Sequence, residues 1–200
     1  MAFGPSGRIY AVERDNNRVS VFERNGTFVR SFGSNLDKPE GVTVSPQGEV
    51  YVADTNNHRI QVFDLNGSFR RVFGEQGDID GRFDRPMGLG FNASGELLVA
   101  DFGNARIQAI DANGSFLWKM NHNVHGEDLR SLSLSRDGLI LLGARYRLRI
   151  LDNRGHLIHE MERQRGQTFN LHDVENFSPV AFAPDGSYRY FNGNDELRHY

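Results

Sequence analysis

The stretch DTNNHRIQVF, residues 54–63, decides the fold because related stretches stand before and after it in the chain. Residues 13–22 read ERDNNRVSVF, and residues 101–110 read DFGNARIQAI. In all three, an acidic residue precedes an arginine by five positions, and alternating apolar residues follow the arginine. The chain is therefore built from repeats of one structural unit.

A glycine in a short polar turn lies upstream of each such stretch, and the spacing of these glycines sets the repeat length. They stand 41, 47, 43 and, to a degenerate fifth copy, 48 residues apart, at Gly7, Gly48, Gly95, Gly138 and Gly186. Repeats of this length are typical of β-propellers, in which one repeat forms one four-stranded sheet, or blade. The sequence predicts four complete blades and one partial blade.

The second repeat shows the four strands of a blade most clearly. Alternating apolar residues place strand a at 41–44, b at 50–53, c at 59–63 and d at 69–73. The pair Asn66-Gly67 predicts a tight hairpin between strands c and d, since both residues tolerate positive φ. No helix is predicted. The fold class is all-β, with a single antiparallel propeller domain over residues 1–200 and blades at about 1–33, 41–74, 87–120, 130–161 and 179–200.

The stretch 54–63 resembles the signature of NHL repeats, and the linker that follows resembles the family's spacer between blades through Gly74, Gly77, Gly81, Phe83, Pro86 and Gly88. The resemblance is strong over residues 2–120, moderate over 131–161 and faint beyond 179. It implies a propeller of six blades, for which 200 residues are too few. We therefore expect a fragment of a six-bladed ring or, as second choice, a five-bladed ring, with self-association through open blade edges as an alternative.

Composition excludes several kinds of site. The chain has a net charge of −3, and its lack of cysteine excludes disulfides, thiolate metal sites and cysteine nucleophiles. Residues 1–7 do not resemble a secretory signal, and the apolar run 139–142 is too short to cross a membrane. We expect no membrane partner and favour a cytoplasmic location. Five Asn-x-Ser/Thr sequons could accept glycans in a secreted protein, at Asn25, Asn66, Asn92, Asn113 and Asn176. Three of them, at 25, 66 and 113, are Asn-Gly turns that enter a strand, so a structural role is favoured.

Charged and amide residues recur once per blade around the b–c turn, and we interpret them as structural. The acids Glu13, Asp54 and Asp101 stand five residues before Arg18, Arg59 and Arg106, with Asn16, Asn57 and Asn104 between them. An acid at the end of strand b can pair with an arginine at the start of strand c. The asparagines are expected to bond the turn backbone. A ring of ligand contacts is the alternative.

Signals for catalysis are few. His122 and His125 have a spacing that can chelate a metal, but two histidines supply half a site, so they are weak candidates. No nucleophile elbow, phosphate loop or dinucleotide fingerprint is present. The predicted inner-strand runs at 42–44, 89–91 and 132–134 are mostly apolar. We predict no catalytic residue and no cofactor, with a metal-dependent propeller lyase or lactonase as an alternative.

The irregular segments between strands are therefore the predicted site. With antiparallel strands, the b–c turns and the d–a linkers emerge on one face of the disc, where binding residues concentrate. The candidate partner-binding residues are Phe102, Tyr146, Arg14, Arg82, Arg85, Arg145 and Arg147. Aromatic and arginine side chains are preferred because they dominate binding energy at interfaces.

The resemblance to NHL propellers implies protein partners, and in some members RNA. The 26 acidic residues against 23 basic ones disfavour RNA, although Arg145, Tyr146, Arg147 and Arg149 form a local basic and aromatic cluster. The sequence predicts a non-catalytic scaffold that recognises a protein partner through this face. RNA binding is the alternative, and the local basic and aromatic cluster is the feature that supports it.

Overall fold

The computed structural model describes residues 1–121, 129–134, 139–144, 147–152, 155–162, 181–182, 188–192 and 196–199. In these ranges the strands form four antiparallel four-stranded sheets and a fifth sheet of three strands. Within every sheet the strands pair in the order in which they follow along the chain. No helix in the described ranges is long and apolar enough to span a membrane.

The strands of the first three blades have well-defined bounds. Blade 1 contains β1 (Ala2–Phe3), β2 (Ile9–Glu13), β3 (Arg18–Phe22) and β4 (Phe28–Phe32). Blade 2 contains β5 (Gly41–Val44), β6 (Glu49–Asp54), β7 (Arg59–Asp64) and β8 (Phe69–Phe73). Blade 3 contains β9 (Pro86–Phe91), β10 (Leu97–Asp101), β11 (Arg106–Ile110) and β12 (Phe116–Asn121).

The remaining strands complete the series. Blade 4 contains β13 (Leu129–Leu134), β14 (Ile140–Ala144), β15 (Arg147–Leu151) and β16 (Leu157–Glu162). The fifth sheet contains β17 (Ala181–Phe182), β18 (Tyr188–Asn192) and β19 (Glu196–His199). The first strands of successive sheets contact one another, β1 with β5, β5 with β9, β9 with β13 and β13 with β17. Strand a is thus innermost, and the predicted all-β propeller is confirmed.

The core lies between blades, because each sheet is apolar on both faces. Blades 1 and 2 pack through a cluster that includes Val19, Val21, Val50 and Phe63. Blades 2 and 3 pack through Ile60, Val62, Leu97 and Val99, and blades 3 and 4 through Ile107, Ala109, Ile140 and Leu142. All twelve are buried. Burial of apolar area between sheets is the main source of stability in such a structure.

Two predicted details of the local backbone are wrong. Single-turn 3-10 helices occur in the b–c turns at Thr55–Asn57 and Phe102–Asn104, where no helix was expected. The predicted hairpin turn at Asn66-Gly67 forms, but Asn66 does not take the expected positive φ: only Gly67 does (86°), and the amide of Asp64 donates to Ser68 O at 2.9 Å. This is a longer loop in which the glycine occupies the left-handed position.

The close approach of the inner strands can be tested at Gly41. A Cβ at this residue would lie 2.0 Å from the Met87 carbonyl oxygen of β9, and backbone cannot move aside without separating the blades. Gly41→Ala should lower the free energy of unfolding by about 3 kcal/mol. The control Gly95→Ala, at φ +80° with open space around it, should cost only about 1 kcal/mol. Equal losses in urea denaturation would contradict the close packing of β5 and β9.

Candidate binding face

The b–c turn of blade 2 is built around the carboxylate of Asp54, which is fully buried. It accepts hydrogen bonds from Arg59 Nε and Gln61 Nε2, both at 2.7 Å, and from Asn57 Nδ2 at 3.0 Å. Its fourth donor is the backbone amide of Asp37 at 2.7 Å, which belongs to the linker entering the blade. A buried carboxylate needs such a set of donors, so turn, strand c and linker are held together.

Blade 3 repeats this arrangement around Asp101, which is also fully buried. The carboxylate accepts from Arg106 Nε and Asn104 Nδ2 at 2.8 Å, from Gln108 Nε2 at 3.1 Å and from the Asp84 amide at 2.7 Å. We call the two arrangements the carboxylate clamps. Each ties the linker between blades to the blade that follows it.

In blade 1, Glu13 takes the place of the aspartate. Its carboxylate accepts from Asn16 Nδ2 at 2.5 Å, from Arg18 Nε at 3.1 Å and from the Ser20 hydroxyl. These hydrogen bonds, with that of Ser20 the strongest influence, lower the pKa of Glu13 to about 2. The carboxyl is therefore held in its ionised form well below the usual range of a glutamate.

The glutamine of each clamp was not predicted from the sequence, and the asparagine was expected to bond a different partner. The glutamines Gln61 and Gln108 are buried on strand c, and each donates to the carboxylate seven positions earlier. A polar residue repeated at one position of an otherwise apolar strand was the available signal. Asn57 and Asn104 donate to the carboxylates and to linker carbonyls, Asn35 O and Gly77 O, instead of to the turn.

The linkers are also anchored to the blade that precedes them. The amide of Lys38 donates to Asn17 Oδ1 at 2.9 Å, and that of Arg85 donates to His58 Nδ1 at 3.1 Å. Asn17 and His58 end the b–c turns of blades 1 and 2 in the left-handed region. The b–c turns and the d–a linkers thus lie together on one surface, which we call the linker face.

Charges on the linker face form pairs across blade boundaries. Arg14, in the b–c turn of blade 1, donates through Nε to Glu40 at 2.5 Å. Lys38 reaches back to Asp15 at 3.1 Å. Asp15 is 81% exposed and Arg14 54%, so the outer parts of these pairs are available to a partner.

Two candidate arginines, Arg82 and Arg85, lie in the linker between blades 2 and 3, and both are paired as well. Arg82 Nη2 lies 2.7 Å from Glu75, and Arg85 Nε lies 3.5 Å from Asp84. The Arg85 guanidinium carbon also lies 4.8 Å from the centre of the Phe102 ring, a cation–π distance. Phe102 is half-buried and packs against Arg85.

Several candidates lie outside the described residues: Arg145, Tyr146, His122 and His125. Arg147 belongs to β15, and only its backbone is described. Arg149, from the same basic cluster, pairs with Glu160 of the adjacent strand. Across the ranges that the structure covers, no group of three potential metal ligands occurs.

Comparison with known proteins supports the architecture. The NHL repeat family model matches residues 36–63, which include the clamp of blade 2. A search of curated proteins finds no match to the sequence. The fold is shared with a streptogramin B lyase structure at a TM-score of 0.72 and 14% identity, over 98% of this chain and 63% of that one.

Two further solved structures are similar. A hydrazine synthase from Kuenenia stuttgartiensis matches at a TM-score of 0.70 and 17% identity, over 94% of this chain and 54% of that chain. A catalytically inactive variant of virginiamycin B lyase from Staphylococcus aureus, with quinupristin, matches at a TM-score of 0.72 and 13% identity, over 99% of this chain and 67% of that chain. This chain spans less than two thirds of the first two structures. At these identities the likeness shows the fold alone.

The clamp of blade 2 predicts a large loss of stability for Asp54→Ala. The variant leaves the Asp37 amide without its acceptor and leaves Gln61 and Arg59 with Asn35 O alone. The free energy of unfolding should fall by about 3–5 kcal/mol in chemical denaturation. The control Glu40→Ala removes an arginine-bound carboxylate from the surface and should cost about 0–1 kcal/mol. Similar losses for both variants would contradict a structural role for the clamp.

Glu13 provides a prediction on pH. Because its folded pKa is about 2 and its ordinary value is 4.5, its contribution to stability is complete above pH 4.5 and is lost as pH falls towards 2. An NMR titration of the carboxyl carbon should give this low pKa in the native chain. Ser20→Ala should raise the pKa of Glu13, because the hydroxyl is the largest cause of the shift. If Glu13 of the unaltered chain titrated near pH 4.5, the hydrogen-bond network around its carboxylate would be ruled out.

Proposed function

We propose that this NHL-repeat β-propeller is a non-catalytic scaffold that binds a protein partner through the linker face. The observation that supports this most is the double anchoring of the linkers. The amides of Asp37 and Lys38 are held by blades 2 and 1, and those of Asp84 and Arg85 by blades 3 and 2. Loops fixed in this way lose little conformational freedom on binding, which favours affinity.

The proposed anchor of the interface is the stacked pair of Arg85 and Phe102. Arginine and aromatic side chains contribute most to binding energy when they stand in a surrounded patch. The pair lies at the junction of the linker between blades 2 and 3 with the b–c turn of blade 3, where the Gly103 amide donates to Asp84 O at 2.7 Å. Arg82, in the same linker as Arg85, and Arg14, in the b–c turn of blade 1, are further proposed contacts.

The distribution of charge favours a protein over RNA. Arg14, Lys38, Arg82 and Arg85 each have a carboxylate within 2.5–3.5 Å. Binding to phosphates depends on cations that are free to replace counterions, and paired arginines contribute less to it. A surface of alternating charges suits a protein surface with the complementary alternation.

Phe102→Ala tests the proposal. The partner is isolated by crosslinking to the immobilised chain and then measured by calorimetry with purified proteins. We expect about a tenfold or greater loss of affinity with a nearly unchanged melting temperature, since the ring is only half-buried. The control Arg70→Ala changes a side chain that pairs with Asp64 at the c–d turn, on the opposite face, and should bind normally.

Three outcomes would contradict the proposal. Equal affinity of Phe102→Ala and the native chain would remove the linker face from the interaction. Binding that is abolished by ribonuclease and weakens steeply between low and moderate salt would instead identify RNA as the ligand. A large fall in melting temperature for Phe102→Ala would assign the ring to the core.

An enzyme with a metal in the central channel is the second candidate function. It is supported by the likeness in fold to the streptogramin B and virginiamycin B lyase structures. His122 and His125 are its proposed ligands, to be completed by residues from other blades. Elemental analysis of the purified chain tests it, with stoichiometric zinc or calcium that is lost in His122→Ala as the expected result. Metal content below one tenth of the protein concentration would count against this candidate.

A further inference from the structure

A groove of about 390 Å³ lies between strands β7 and β8 of blade 2 and the linker from blade 1. Its polar part is lined by Asn35, Arg59 and Gln61, and its apolar part by Phe69 and Val72. Phe69 is 56% exposed and Val72 44%, both high for large apolar side chains. Exposed apolar groups beside polar groups of fixed position are typical of a site for a peptide.

The same space in blade 3 is filled by the chain itself. Gly33 packs against Leu36 three residues later, and its counterpart Gly74 packs against Phe83 nine residues later. The longer linker folds the segment 77–82 into a loop, closed by a hydrogen bond from the Gly77 amide to Phe83 O at 3.1 Å. The shorter linker of blade 2 has no residues to place there.

Hydrogen bonds from strand c bind this loop in blade 3. Arg106 donates to Asp78 O at 2.6 Å and to Ile79 O at 2.9 Å, and the Gly81 amide donates to Gln108 Oε1 at 2.9 Å. The Asp80 carboxylate lies 3.6 Å from Arg106.

Coverage by the loop changes the exposure of the residues beneath it. The Arg106 side chain is 5% exposed, against 32% for its counterpart Arg59. Phe116 is half-buried, and a Cβ on Gly81 would lie 4.0 Å from its Cβ, whereas its counterpart Phe69 is exposed. Blade 3 thus shows which kind of segment fits this space.

The corresponding groups of blade 2 are left without that segment. Arg59 donates through Nε to Asp54 and through Nη2 to Asn35 O, and Gln61 donates through Nε2 to the same two residues. Within the described part of the chain, Arg59 Nη1 and Gln61 Oε1 make no hydrogen bond. One donor and one acceptor therefore remain in the groove, in the positions that bind Asp78 and Gly81 in blade 3.

We propose that the groove of blade 2 binds a short acidic loop of a partner protein that resembles residues 77–82. Its carbonyls accept from Arg59, a glycine amide donates to Gln61, and the same glycine lies over Phe69 as Gly81 lies beside Phe116 in blade 3. Its carboxylate faces Arg59, which supplies the complementary charge. This site is separate from the anchor pair Arg85 and Phe102, so it stands or falls independently of the proposed function.

A cyclic peptide of sequence GDIDGR, taken from residues 77–82, is the probe. Titrated into the ¹⁵N-labelled full chain, it should shift the side-chain resonances of Arg59 and Gln61. Phe69→Ala should weaken binding at least about fivefold, because the ring would no longer be covered by the peptide backbone at its second glycine. The matched control is Phe28→Ala, at the equivalent position of blade 1, which is 55% exposed and outside the groove. This control should leave the affinity unchanged.

A grafted chain provides a second measurement. Insertion of GDIDGR between Asn35 and Leu36, which matches the spacing from Gly74 to Phe83, should fill the groove from within, so that the free peptide no longer binds. The proposal is overturned if millimolar peptide shifts no resonance of the groove, or if Phe28→Ala and Phe69→Ala weaken binding equally. Undiminished binding of the peptide to the grafted chain would overturn it as well.

Discussion

The hydrogen bond between a buried carboxylate at the end of strand b and a backbone amide of the incoming linker is the interaction on which the other features depend. A carboxylate removed from water must be surrounded by donors, and Asp54 and Asp101 obtain theirs from three separate segments. The turn, the strand and the linker can donate to this carboxylate together in only one mutual arrangement. The charge therefore specifies where the linker runs, which the apolar packing between sheets leaves open.

The opposite face uses a related but simpler device. Arg30 and Arg71 of the outer strands donate to carbonyls in the c–d turn of the next blade, Leu65 O at 3.3 Å and Ala112 O at 3.1 Å. Neighbouring blades are thus joined by polar contacts on both faces of the propeller and by apolar contacts between them. The difference is that the linker face carries long connections, held at both ends. Fixed loops with exposed arginines and a stacked aromatic ring are the features of that face on which the proposed recognition of a partner rests.

The sequence predicted the features that repeat and are local. The blades, their strands, the alternating apolar residues and the acid–arginine spacing all follow from a period of two within strands and from the recurrence of one motif. Features that depend on contacts between distant residues were not predictable in this way. The stacking of Arg85 on Phe102 and the groove beside Arg59 depend on how a linker folds over the next blade. Six extra residues in one linker decide whether that groove is filled. The glycine spacing of 47 instead of 41 residues reveals the extra length, but not where the extra residues fold.

Amide hydrogen exchange at Asp37 and Asp84 tests the central role of the clamps most directly. Both residues lie in connecting segments, where amides ordinarily exchange quickly. If the buried carboxylates hold them as described, both amides should exchange as slowly as the strand amides of Val52 and Val99. Exchange at the rate of an unprotected loop amide would show that the linkers open without the blades. The clamp would then not be the constraint that organises the linker face.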